Sequence, residues 1–267
     1  YRSWMQSNIN GFGSRSQAVI STLDVLGSSL YASAWTNPVS ALAQVWRTSD
    51  GKTWSQVTPT TGWTAIAVGG GAVFDSELYL GVYAVPSGVP TGQIWRTGGL
   101  GWEAAVTDGF GDPTVVWINE LEVFNDQIYA VTENSDKNMH IWRYPVSEVD
   151  ESWERVGAGV LDATDIRSQK VLFVYNNQLY LGRSNAGKAE IWSSPDGATW
   201  TLLDVTGLGI NNSDVSAFAE FNGSLYVGFR NEVDGGEVWV SSDGLSFNQV
   251  FGGGLGDITN IRPYGLV

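Results

Sequence analysis

Aromatic rings and carboxylates are the side chains of this sequence best suited by type to chemistry on a ligand. Trp35 and Trp117 stand outside the regular tryptophan spacing described below, and Tyr83 holds the place of Trp35 one repeat later. An indole or phenol ring can stack on a sugar or another flat apolar surface. Glu133, Asp136, Glu232 and Asp234 fall in the least repetitive segments, and a pair of carboxyl groups is the minimum that glycoside hydrolysis needs. Arg183 and Arg230 open the corresponding variable segments of later repeats. With Trp35, Tyr83, Trp117 and Glu133 they make up the ligand-binding candidates. Asp112, Asp162, Asp165, Asp214 and Asp257 all follow a connection between repeats and would form an acidic rim. Such hard oxygen ligands suit Ca²⁺, but no compact stretch has calcium-loop spacing. A solvated rim is the favoured reading, and neither a metal nor another cofactor is expected. The single histidine, His140, removes histidine-based triads and multi-histidine metal sites. The absence of cysteine removes thiol chemistry.

The elements that must carry these residues are announced by tryptophan. Ten of the 13 tryptophans fall in two series, Trp46, Trp95, Trp142, Trp192, Trp239 and Trp4, Trp54, Trp102, Trp153, Trp200. Pairs such as Leu30-Tyr31, Leu78-Tyr79 and Leu225-Tyr226 share the same period of about 48 residues. Trp63 follows Gly62 as Phe110 follows Gly109, which makes it a repeat aromatic as well. Within each repeat, apolar alternation of period two is punctuated by Gly27-Ser28-Ser29, Asn125-Asp126, Asn176-Asn177 and Asn222-Gly223. These residues tolerate the positive φ of tight hairpins. Four short antiparallel strands per repeat of this length predict an all-β fold, a β-propeller.

The repeats run over about 11–57, 62–106, 109–157, 160–205 and 207–250 in a single domain of 267 residues. The ends read as a further partial blade, with a fourth strand in 1–8 and a first strand in 254–267. Six ring positions are favoured, with five as the alternative. The variable loops from Trp35, Tyr83, Glu133, Arg183 and Arg230 are expected on one face.

At the third-to-fourth strand turn the chain reads Ser49-Asp50-Gly51-Lys52-Thr53-Trp54 and Ser194-Pro195-Asp196-Gly197-Ala198-Thr199-Trp200, with a weaker copy at Ser242 to Phe247. This resembles the Asp-box turn of sialidase-like propellers, shortened by one residue between Asp and Gly. The whole repeat pattern, as in Phe221-Asn222-Gly223-Ser224-Leu225-Tyr226 and Glu237-Val238-Trp239, is also similar to secreted bacterial repeat propellers. The resemblance implies that the Asp turns are structural and peripheral. It also implies that a sialidase activity would need three arginines clamping a carboxylate and a tyrosine nucleophile with a glutamate partner. Arg15, Arg167 and Arg262 begin first strands and Tyr264 is nearby, but their registers differ. Arg47, Arg96 and Arg143 share one repeat position beside the Asp turn and read as structural.

The chain has 14 Lys+Arg against 28 Asp+Glu, a net charge of −14, which argues against nucleic acid as a partner. No apolar window is long enough to span a membrane. The sequence therefore reads as a secreted or surface propeller that recognises a glycan or a protein without catalysis. A structural subunit whose incomplete blade accepts a partner strand, in a homo- or hetero-assembly, is the second reading. A sialidase-like glycoside hydrolase is the third.

Overall fold

Hairpin after hairpin builds this chain, and the turns show why. In the computed structural model, Asp75-Ser76, Asn125-Asp126, Asn176-Asn177 and Asn222-Gly223 all adopt positive φ at both positions. That geometry matches the right-handed twist of the flanking strands, so each turn closes a first strand onto a second. The structure describes residues 6–7, 10–13, 17–36, 41–145, 152–161, 171–203, 208–209 and 211–266. Five four-stranded antiparallel sheets result, each made of consecutive strands and each falling on one sequence repeat.

The chain divides into two compact units, residues 1–135 and 136–267. In the N-terminal unit the first sheet is β1 (Gln17–Leu26), β2 (Ser29–Thr36), β3 (Gln44–Thr48) and β4 (Ser55–Gln56). The second is β5 (Ala65–Phe74), β6 (Glu77–Ala84), β7 (Thr91–Thr97) and β8 (Glu103–Val106). The hairpin β9 (Val115–Phe124) and β10 (Gln127–Asn134) completes this unit. Its core joins Tyr31, Val45, Trp63, Val68, Leu78, Leu80 and Trp95. Trp63 donates its indole N–H to the Ala43 carbonyl at 2.8 Å and meets Trp95 edge-on, the packing role expected of a repeat aromatic.

The C-terminal unit holds β11 (Ile141–Tyr144), β12 (Glu154–Val156), then β13 (Val171–Tyr175), β14 (Gln178–Asn185), β15 (Lys188–Ser194) and β16 (Thr201–Leu202). The last sheet is β17 (Asn212–Phe221), β18 (Ser224–Asn231), β19 (Glu237–Ser241) and β20 (Asn248–Phe251). Tyr180, Ile191, Val215, Phe218, Val227 and Trp239 form its core. Trp239 and Trp192 donate to Glu237 and Glu190 two residues earlier, as Trp46 and Trp95 do to Gln44 and Gln93 in the N-terminal unit. These four third-strand tryptophans thus satisfy their own N–H within the strand.

The Asp turns are structural, as the sequence implies. Asp50, Asp196 and Asp243 each accept backbone N–H bonds from residues two and three further on, and a hydroxyl from Thr48, Ser194 or Ser241. Those bonds favour the ionised form and hold the carboxyls of Asp196 and Asp243 down to about 2. The expected first strand at 254–267 does not form: residues 257–266 contain no strand. That segment docks by single bonds, Asn231 N–H to the Ile261 carbonyl and Gly236 N–H to that of Asn260. The expected fourth strand within 1–8 falls mostly outside the described residues.

Candidate active site

Long first strands slip register at one recurring place. Pairing shifts between Ile20 and Thr22 in β1, between Val68 and Gly71 in β5, and between Ile118 and Glu120 in β9. The residues left out of the ladder are Ser21, Gly69-Gly70 and Asn119. Bulges of this kind bend a strand and re-aim its side chains, and they are common beside active sites. Among the described residues they leave Ser21 Oγ and Asn119 Oδ1 buried without a hydrogen-bond partner, together with Asp24 Oδ2 and Trp117 Nε1. Unpaired buried polar atoms are costly, so a group of them in one unit suits a ligand that would complete their bonds.

The glycines of β5 make the approach possible. A Cβ on Gly70 would stand 2.8 Å from the Cα of Glu120, and one on Gly71 would stand 2.5 Å from Oδ2 of Asp24. With no side chains in the way, β1 and β9 bring carboxyl groups to either side of β5. Asp24, Glu120 and Glu122 are half-buried and electrostatically coupled. Burial first, then the charges of Glu122 and Asp24, push the Glu120 carboxyl up to about 8. Burial also raises Asp24, against a hydrogen bond with Thr22. Burial raises Glu122 as well, while Oε1 accepts the Val123 N–H at 2.9 Å. One carboxyl stays protonated at neutral pH beside two others, an arrangement suited to general acid catalysis.

Three of the predicted candidates join this region. Tyr83 meets Trp117 edge-on, with ring centroids 5.9 Å apart. Glu133 pairs across the ladder with Trp117 and accepts a bond from Asn119 Nδ2 at 3.4 Å. The other three do not. Trp35 packs half-buried against the N-terminal core, with its Nε1 unpaired among the described residues. Arg183, 2% exposed, pairs with Glu190, donates to the Leu161 carbonyl and lies 5.1 Å from the Trp192 ring centre. Burial has turned that guanidinium into a packing and hydrogen-bonding post. Arg230 is paired with Glu232 at the exposed end of β18.

The other carboxylates are held locally. Asp112 and Asp257 each accept bonds from the N–H and hydroxyl of the threonine two residues on. Asp234 accepts from Asn211, and Asp136 from Asn138. Asp214 is ion-paired with Arg262, whose guanidinium lies over the Tyr264 ring at 5.4 Å. Arg15, Arg167, Asp162 and Asp165 lie outside the described residues. Among the described residues, no group of three or more His, Cys, Asp or Glu side chains is placed to hold a metal ion.

Asp24, Glu120 and Glu122 were missed by sequence reasoning because they sit inside strands read as apolar. The signal was present: Asp24 interrupts Val19 to Leu26, and Glu120 and Glu122 interrupt Trp117 to Phe124, where the second repeat carries three glycines.

No family model and no curated protein matches the sequence. Solved structures do resemble it. A sialidase from Hadza microbes (Hz136) superposes with a TM-score of 0.55 at 15% identity, over 85% of this chain and 57% of that one. Trypanosoma rangeli sialidase, solved with 2,3-difluorosialic acid as a covalent intermediate, gives 0.53 at 10% identity over 88% and 48%. The α-L-arabinofuranosidase CtGH43 of Clostridium thermocellum gives 0.43 at 15% identity over 86% and 92%. The chain therefore has a sialidase-type propeller fold and spans about half the length of the two sialidases. These neighbours correct the expectation of a non-catalytic recogniser. Both of these chains of similar fold are sialidases.

Proposed function

We propose that this chain is the propeller of a glycoside hydrolase, with Glu120 as the proton donor. The observation that carries the reading is the Glu120 carboxyl, pushed up to about 8 beside Asp24 and Glu122 on bulged strands. Cleaving a glycosidic bond requires a proton for the leaving oxygen and a second carboxyl group at the anomeric carbon. Glu120 keeps its proton at neutral pH and delivers it to the departing oxygen. Asp24 has Oδ2 uncommitted and serves as the second carboxyl group. Asn119 Oδ1 and Trp117 Nε1, both without partners, supply an acceptor and a donor for sugar hydroxyls. The Tyr83–Trp117 pair offers ring surface alongside.

The test is hydrolysis of a panel of fluorogenic sialosides, arabinofuranosides and galactosides. Wild-type protein should turn over one class, and Glu120→Gln should lose about 100-fold or more in kcat. No turnover across the panel, or full activity in Glu120→Gln, sinks the proposal.

A further inference from the structure

A second site lies on the outer strands of the first two sheets, where one arginine has lost the partners that its repeat equivalents keep. Arg47, Arg96 and Arg143 occupy the same place on third strands. Arg96 faces Glu103 across the ladder and pairs with it at 3.1 Å, and it also pairs with Glu77 at 3.3 Å. Arg143 faces Glu154 and pairs with it. Arg47 faces Ser55 instead, and Ser29 stands where the second repeat has Glu77. Among the described residues no carboxylate reaches Arg47. Its one hydrogen bond runs from Nη1 to the Gly99 carbonyl at 3.0 Å. A half-buried guanidinium with one bond made keeps most of its donors for something else.

That guanidinium opens into a cavity of about 420 Å³. Tyr31, Thr58, Thr60, Thr61 and Trp102 line it alongside Arg47. Thr58 is committed to the Val45 backbone, and Trp102 donates to the Val57 carbonyl at 2.6 Å, so the wall is held in place. Thr60 and Thr61 are exposed and present hydroxyls. The volume admits a single sugar ring and falls in the range of small-molecule sites.

We propose that this cavity binds an acidic monosaccharide, with its carboxylate on Arg47 and its hydroxyls on Thr60 and Thr61. Charge calls for an anion, because among the described residues the guanidinium has no counter-charge. Hydroxyls and aromatic lining call for a sugar body more than for a bare inorganic ion. The residues involved belong to β2–β4, β7 and the loops after β4 and β7, whereas the carboxyl cluster sits on the first strands β1 and β9. The site is thus separate from the proposed catalytic one.

Binding of D-glucuronate, D-glucose and acetate is measured by calorimetry on the full chain. Glucuronate should bind at least about tenfold tighter than either comparison compound, the margin expected of one charge-assisted pair combined with hydroxyl contacts. Arg47→Gln should lose that margin. Ser55→Glu, which supplies the cross-strand acid found in the next two repeats, should pair Arg47 internally and lose it too, with thermal stability kept. Glu120→Gln should bind glucuronate as wild type does, so failure here and failure of the catalytic reading are distinguishable. Equal binding of glucose, equal binding of acetate, or unchanged glucuronate binding in a folded Ser55→Glu protein each overturns the proposal.

Discussion

Glu120→Gln should make the protein more stable in alkaline solution while removing its proposed catalytic proton. Folded Glu120 holds its proton up to about 8, whereas the unfolded chain releases it near the ordinary glutamate value of 4.5. Between those values the folded state binds more protons than the unfolded state, so stability falls as pH rises through the window. At about 1.4 kcal/mol per pH unit, the wild-type loss between pH 5 and pH 9 is about 4 kcal/mol if water is wholly kept from the carboxyl. Glu120 is half-buried, and partial solvent contact brings the expected figure to about 2 kcal/mol. The glutamine variant has no proton to lose at this position and escapes the penalty. In a chain of this size, about 2 kcal/mol corresponds to roughly 6 °C in Tm. Thermal unfolding of both proteins at pH 5, 7 and 9 measures it. The curves should lie close together at pH 5 and separate towards pH 9, with the variant higher. A variant gain of equal size at every pH, or a variant less stable than wild type at pH 9, refutes the reasoning. In either case Glu120 would not be carrying the buried proton from which its catalytic role is argued.

Gly71→Ala places a methyl group where it would stand 2.5 Å from Asp24 Oδ2, so that carboxylate must move. Turnover should fall at least about tenfold, with the loss mainly in kcat, while the circular dichroism spectrum stays that of the native sheets. Arg183→Ala should act on stability alone. It removes a guanidinium that is 2% exposed and strands Glu190, at a cost of about 3 kcal/mol in chemical denaturation. Turnover per folded molecule should be unchanged, and a specific loss of substrate binding would return Arg183 to the ligand-binding set.

How much of the site could be read from sequence depended on where its residues fall in the repeat. Tyr83, Trp117 and Glu133 stood out because they sit where repeats diverge; Tyr83 meets Trp117, and Glu133 accepts a bond from Asn119. Asp24, Glu120 and Glu122 lay inside hydrophobic strands, where a lone acid reads as the solvent side of an alternating pattern. A bulge undoes that alternation: one extra residue turns the following side chains to the other face. Arg183 failed for a different reason. Its type and its position at the edge of a variable segment suggested a ligand, but Glu190, five residues beyond Asn185, is its cross-strand partner and takes up its charge.

Local chemistry was therefore settled by residue order alone. Paired positive-φ residues made the hairpins, and the period of about 48 residues set the number of four-stranded sheets. Aspartates reaching backbone N–H groups two and three residues on made the Asp turns. All of these are short-range interactions, so the sequence shows them directly. The acidity of Glu120, the nearness of Asp24 to Gly71 and the missing partners of Arg47 arise between strands and between sheets. Burial and charge coupling depend on distances that chain separation does not determine. Only the packed tertiary structure could decide them.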